Sequence, residues 1–383
     1  LMNVIKSELE EERKLYDDDR RTEIIPDTGE ISVEDMIAEE DMVITVSHSG
    51  YIKRTSVSTY RKQRRGGKGI KGTEAKDGDF VEHLLVANTH DWLLFFTDRG
   101  RVLKELTYHL PNLGRYAQGR ALVNFLKLEK GETVNAVLKL RDMGDDRSLF
   151  FVTKLGRVKR TRLSEYQNIR KGGIIAIQLR DGDRLIGTSL VHDDQAIVLL
   201  TAQGQAIHFP VDQARLMGRT ASGVIGIRLK GADEVVGMAI SDSDDALLTV
   251  FERGYAKRTS FSEYPPHNRG GQGVKNITTA GLGRNGPVVA ARAVRDGDEI
   301  ILITERGQSI RMQVTEDQFR TMGRSTGGVK AIDVPKDDRL ISMAWVRPED
   351  EDELVEGDEE AAPETGDAGT TDGAPEGDPP GEA

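Results

Sequence analysis

Residues 63–69 read Gln63-Arg64-Arg65-Gly66-Gly67-Lys68-Gly69, three cations and three glycines in seven positions. Glycine lets a backbone turn at positive φ and approach a ligand closely. Backbone N–H groups beside guanidinium and ammonium groups are chemistry suited to phosphate. Two targets share that chemistry, the phosphates of a bound nucleotide and the backbone of a nucleic acid. A nucleotide P-loop needs G-x-x-x-x-G-K-[ST] between a strand and a helix. Here Lys68 is followed by Gly69 and no helical pattern follows. A polyphosphate surface is the better fit.

Other candidate chemistry is thin. Seven histidines are scattered without metal-ligand spacing, and there is no cysteine, so disulfides and thiolate metal sites are excluded. Ser47-His48-Ser49 precedes a glycine and reads as a hairpin turn, not a nucleophile. The Asp-Gly-Asp groups that begin at Asp77, Asp181 and Asp296 lack the further ligands of a calcium loop and suit tight turns. No catalytic residue and no metal site is expected. No apolar run approaches the roughly 18 residues of a membrane span, and no signal peptide is visible. The chain opens on Leu1 inside a helical pattern, as a piece of something longer would.

The net charge of −11 hides a segregation. Residues 1–41 carry a net −10, residues 349–383 a net −15, and residues 42–348 a net +14. A basic core between acidic ends is the asymmetry of a polyanion binder. Glu349–Ala383 has almost no large apolar side chain, so it cannot offset its chain entropy and is expected to be disordered. Val4–Tyr16 reads as a short helix, Asp17–Arg21 as a charged breaker, and Ser32-Val33-Glu34-Asp35 as a capping box.

The basic core is a repeat. An apolar run, a turn with glycine and a short cationic strand recur six times, with turn glycines at Gly50, Gly100, Gly156, Gly204, Gly254 and Gly307. Their spacings of 50, 56, 48, 50 and 53 residues mark an array. Each unit reads as four strands: a hairpin, a polar loop, a third strand such as Gly173–Leu179 or Gly223–Leu229, a tight turn, and a fourth strand such as Arg184–Val191. Six such units predict an all-β, propeller-like disc, with an open solenoid as the alternative. The expected organisation is 1–41 as the end of a preceding domain and linker, then blades at 42–91, 92–146, 147–195, 196–245, 246–298 and 299–348, then the tail at 349–383.

The cations recur with the units. The odd units carry Lys53-Arg54, Lys159-Arg160 and Lys257-Arg258 on the second strand, and the even units carry Lys104, His208 and Arg311. Strand neighbours point to opposite faces, so one member of each pair is expected to face out while the other covers core edges. The loop that follows holds the seven-residue box in unit one, and Arg115, Arg170-Lys171, Arg219, Arg269 and Arg324 in the others. Lys71, Arg101 and Lys275 complete the expected basic rim. Edge-strand protection is the plainer reading of a single lysine. It does not account for a basic residue at one position in five of six units.

These residues resemble a known family. Gln63–Gly69 looks like the signature box of the C-terminal domain of the DNA gyrase A protein. His48–Arg54, Leu84–Asp91, Arg99–Val102, Val211–Leu229 and Gly254–Pro265 are similar to the same family, and the likeness covers essentially the whole chain, with 1–30 a remnant of the breakage-reunion domain. The topoisomerase IV relative carries a degenerate box. The resemblance implies a six-bladed β-pinwheel whose neighbouring blades exchange strands. It implies double-stranded DNA wrapped on the rim in a positive sense, presenting a segment for ATP-dependent negative supercoiling. By resemblance, Gln63, Arg64, Arg65, Gly66, Gly67, Lys68 and Gly69 are needed for wrapping. It further implies the remainder of the gyrase A protein and the gyrase B protein as partners in an A2B2 heterotetramer. A cytoplasmic setting on the bacterial chromosome is implied too, with no cofactor here, ATP and Mg being used elsewhere in the holoenzyme.

A net −15 segment tethered to a basic disc sits at high effective concentration, so the tail is expected to compete with DNA. Deleting 349–383 should tighten DNA binding at moderate salt. Unchanged affinity and unchanged wrapping would leave the tail a solubilising segment.

Overall fold

The computed structural model describes residues 2–16, 36–57, 79, 81–114, 117–144, 146–241, 245–306 and 309–346. The seven-residue box, Lys71, Arg115, the capping box at Ser32 and the acidic tail lie outside the described residues. The chain divides into two units after Ala38. The first holds an α-helix, Met2–Tyr16, none of whose residues is buried.

The second unit is a ring of six antiparallel sheets. Blade three shows the plan. Its first strand, Ser148–Thr153, pairs on one side with Arg157–Arg162 and on the other with Leu185–Val191. The six first strands are apolar runs such as Trp92–Thr97 and Ala196–Thr201, without polar alternation. The reason lies in the neighbours. Leu94 and Phe96 of blade two share one cluster with Leu149 and Phe151 of blade three. Phe150 and Val152 of blade three share the next with Ile197 and Leu199 of blade four. Alternate side chains of one strand therefore serve opposite blade interfaces, so both faces must be apolar. Each such side chain, fully buried, contributes about 1.5–3 kcal/mol.

The inner strands, of which Leu185–Val191 is one, stand side by side around an axial cavity of about 500 Å³. Residues from all six blades line it, so the ring is closed at its axis. An aspartate before most inner strands ties down the hairpin turn of the same unit. Asp183 accepts the Leu155 N–H at 2.9 Å and Asp233 that of Gln203 at 3.0 Å. This is the turn role expected of the Asp-Gly-Asp groups.

The third strand departs from the sequence reading. It is two residues long and belongs to the preceding blade. Ile174–Ile175 of unit three pairs with Val102 and Arg101 of blade two. Val224–Ile225, Val274–Lys275 and Val329–Lys330 do the same for blades three, four and five, and Arg120–Ala121 for blade one. Units are not self-contained; each of these blades takes its outermost strand from the next unit, as the family resemblance implied. In blade six the sheet has three strands among the described residues. A second departure is the α-helix Thr279–Asn285, capped by Thr278, where the pattern showed no helix. Seven residues with two glycines are too short to carry a helical period.

The donated strand depends on glycine at its entry. Gly173 has φ +75°, and a Cβ there would lie 2.9 Å from the Val102 carbonyl oxygen of the preceding blade. Gly119 has φ +92° and would place a Cβ 2.8 Å from the Ile52 oxygen. Gly223, Gly273 and Gly328 meet the same crowding. Gly172, one residue earlier, has open space around it. Gly173→Ala should therefore cost about 1–3 kcal/mol, as a strained backbone does, and Gly172→Ala about 0.5 kcal/mol or less. Urea unfolding of the two variants measures this, and equal losses would remove the steric account.

Candidate nucleic-acid interface

The Lys-Arg pairs are not where a rim would have them. Lys53, Lys159 and Lys257 are 2%, 0% and 0% exposed. Each reaches sideways under the loop of the next unit. Lys53 Nζ donates to the Ala117 carbonyl at 2.9 Å and to that of Gly114 at 3.4 Å. Lys159 donates to the carbonyls of Ala176 and Arg219, and Lys257 to those of Asn276 and Arg324. The lysines therefore hold loops in place and are withdrawn as rim groups. Both expected faces of the strand are interior, because the donated loop covers the one that would have been exposed. A buried ammonium without partners would cost several kcal/mol; loop carbonyls supply the partners.

The arginines of the pairs are held too. Arg160 faces Asp193 at 3.1 Å and Arg258 faces Asp296 at 2.9 Å, both guanidinium groups being almost covered. Arg54 Nε donates to the Leu110 carbonyl at 2.8 Å, and burial lowers its pKa. The backbones of Arg54, Arg160 and Arg258 form short parallel bridges to Asn112, Leu216 and Thr321 of the following loop. The loop thus runs out beside the second strand, turns, and returns as the donated strand. Tyr166 and Tyr264 close the core beneath it, through hydrogen bonds to the Ala176 carbonyl at 3.0 Å and to Asn276. Burial raises both phenols.

Among the loop cations, Arg269 Nε donates to the Gln213 carbonyl at 2.7 Å and Arg324 Nε to that of Glu263 at 3.1 Å. Their guanidinium groups fasten the loop while staying at the surface. Arg101 pairs with Glu132 at 2.6 Å, Arg311 with Glu299, and the Lys104 ammonium lies 4.4 Å from the Trp92 ring centroid. Arg219 is half-buried, whereas Arg170, Lys171 and Lys275 are exposed. The structure brings the last three to the outer side, on or beside donated strands.

Two exposed arginines are absent from the sequence expectation. Arg215 and Arg320 sit at equivalent places, one residue before the bridge partners Leu216 and Thr321. Their signal is the pair of matching segments Arg215-Leu-Met-Gly-Arg219 and Arg320-Thr-Met-Gly-Arg324. Arg120 and Lys330, on the donated strands of blades one and five, and Arg162, at the end of a second strand, are exposed as well. The outer surface is therefore basic, but through loops and donated strands and not through the recurring pairs.

Fold and outer surface together define a class, a strand-exchanged six-bladed propeller with cations on its donated strands and the loops beside them. The sequence profile of the family described as DNA gyrase C-terminal domain, beta-propeller, matches residues 41–88, 91–141, 147–192, 195–242, 245–295 and 298–344. The chain belongs to that family. It is 43% identical over 372 residues to the DNA gyrase A protein of Salmonella typhimurium, covering 95% of this chain and 42% of the relative. It is 41% identical to that of Streptomyces coelicolor, covering 98% of this chain and 44% of the relative. The chain thus spans less than half the length of these relatives. Among solved structures it is similar to a C-terminal domain of DNA topoisomerase IV, with TM-score 0.70, 26% identity, and 82% of this chain and 95% of the other covered. It is also similar to a DNA gyrase A C-terminal domain, with TM-score 0.63, 27% identity, and 80% and 99% covered.

The buried lysines give a pH dependence whose sign follows from their surroundings. Burial first, and the nearby Arg219 or Arg324 second, hold Lys159 and Lys257 down at about 7. The unfolded chain keeps those protons to about pH 10.4. Between about pH 7 and 10 the unfolded state therefore binds more protons, and stability rises with pH. Relative to Lys159→Met/Lys257→Met, the native chain should gain stability from pH 7 to pH 10 and show no trend below pH 7. Urea midpoints across that range test this, and a pH-independent difference would mean that the ammonium groups are solvated in the folded state.

Proposed function

We propose that this chain binds double-stranded DNA without sequence preference around its outer edge and wraps it in a positive sense. The wrap presents a DNA segment to the rest of a gyrase for ATP-dependent negative supercoiling. The observation that carries this is the ring of donated strands and loops with exposed Arg170, Lys171, Arg215, Lys275 and Arg320, in a chain of the gyrase family. The box, Gln63–Gly69, stands intact in the sequence and favours a chiral wrap over the achiral bending of a topoisomerase IV-like domain. In this reading strand cleavage and ATP hydrolysis belong to other parts of the gyrase A protein and to the gyrase B protein, in an A2B2 assembly acting on the chromosome in the cytoplasm.

A magnitude shows why the cations must be many. Bending about 40 base pairs through half a turn costs roughly 11 kcal/mol at a persistence length of about 150 base pairs. One loop of three cations is too little. Many phosphate contacts spread around an edge suffice, through counterion release. Base readout would need a recognition helix or zinc-finger spacing, which the sequence lacks.

The test is the linking number of relaxed circular DNA closed in the presence of the chain. A positive shift that grows with protein is expected, and Arg64→Ala/Arg65→Ala/Lys68→Ala should abolish it. Binding without a shift would replace the wrap by simple bending. In the same preparation, Arg215→Ala/Arg320→Ala should reduce the slope of log Kobs against log salt by about 0.9 for each phosphate no longer neutralised.

A further inference from the structure

The axis of the disc offers a second site, independent of the outer edge. His83, Asn135, Thr188, Met238, Arg292 and Ser342, one from each blade, are among the residues lining its cavity of about 500 Å³. That size is within the range of about 300–1,000 Å³ typical of small-molecule sites.

The polar groups in it are unevenly satisfied. Asp245 and Arg295 pair at 2.6 Å. Glu82 meets His48 at 3.4 Å, and burial raises its carboxyl above the usual range. Two other atoms are covered and lack any hydrogen-bond partner, His83 Nε2 and Thr188 Oγ1. Thr188 is only 7% exposed. Native structures rarely leave such atoms unmatched, and a bound group is one of the usual reasons. Arg292, on blade five, is close enough to His83 on blade one to oppose its protonation. Burial first, and Arg292 second, hold the His83 imidazole down at about 4, so it is neutral at neutral pH. A neutral imidazole can present an N–H, a threonine hydroxyl a second donor, and a guanidinium a charged fork. With their hairpins aligned, the three residues stand on consecutive rungs of the inner strands, opposite Val46, Phe151 and Leu248. They come from blades one, three and five, and so approach the axis from three directions.

We propose that the axial cavity binds a small oxyanion of the phosphate class, held by Arg292 with His83 and Thr188 as hydrogen-bond donors. The anion would cross-link three blades that share no strand. It would therefore stabilise the closed ring by mass action without touching the outer edge.

The probe is inorganic phosphate, added to the full chain at constant ionic strength with chloride as the balance. The His83 imidazole signal is followed by NMR, assigned by its loss in His83→Gln. A saturable shift is expected, with the His83 pKa raised by about one unit or more, since a neighbouring anion favours the protonated ring. Thermal unfolding should move upward over the same phosphate range. Arg292→Gln and Thr188→Val should each weaken the saturable response several-fold while the variants remain folded and still bind DNA. A shift that rises linearly without saturating, one that chloride reproduces, or one that persists unchanged in Arg292→Gln would overturn the proposal.

Discussion

Everything outside the first strands rests on a strand of two residues that belongs to the neighbouring unit. Two residues cannot hold a sheet edge by ladder hydrogen bonds alone, so the loop around them is fastened in other ways. The turn glycine of the preceding hairpin accepts both the Ala176 and the Ile177 N–H on its Gly100 carbonyl, at 2.8 and 3.0 Å. Lys53, Lys159 and Lys257 reach from odd blades into the loops of the following units, and loop arginines fasten those segments from the outer side. Burial of the lysine and docking of the loop are one event. If the loop lifts, the ammonium loses its partners together with the cover that made the site dry. A blade is therefore complete only when its neighbour has folded against it.

The same constraint decides which features the sequence exposes. Six turn glycines and six apolar runs mark the number of blades and the position of each hairpin, because a strand buried on both faces has no polar alternation to hide it. The donated strand is less legible, and the span Gly173–Leu179 overstates it. Local pattern reports which residues are extended but not which sheet completes them, and a crossing to another blade leaves no periodicity. Among the cations, Arg170, Lys171 and Lys275 stand at the surface, whereas Lys159 and Lys257 do not. A lysine that satisfies loop carbonyls has the same sequence signature as one that faces solvent, and its recurrence in three units reflects a repeated packing need. Arg215 and Arg320 lie in the approach to the loop, away from its glycine-rich tip. Only their matching distance from the next arginine marks them.

The division of labour among the cations has a physical logic. A charge that must meet a polyanion is most useful on a support that does not reorganise when the ligand arrives, since ordering loops on binding costs affinity. Here the interior lysines and half-covered arginines stiffen the loops, and the exposed arginines ride on them. The net +14 of residues 42–348 thus overstates the charge available at the surface and understates how well that charge is placed. Salt screens exposed groups over about 8–10 Å at physiological strength, whereas the buried ones are shielded from it. Ionic strength should therefore loosen a bound polyanion well before it loosens the loops that present it.

Odd and even blades solve the fastening problem differently. On odd blades a buried lysine meets the loop. On blade two Lys104 donates to the Gln167 carbonyl at 3.3 Å while lying over Trp92, and on blade four His208 meets the Tyr264 carbonyl at 2.8 Å. These even blades thus hold their incoming loops by a partly exposed amine or an imidazole, which is weaker and more solvated. Those incoming loops are the ones from odd units, and they include Arg170-Lys171 and Arg269. The loops with the looser anchors have the greater freedom to adapt to a curved polyanion, while the lysine-clamped loops set a fixed frame between them. An alternation of rigid and compliant contacts around one edge follows directly from which residue type occupies a single strand position.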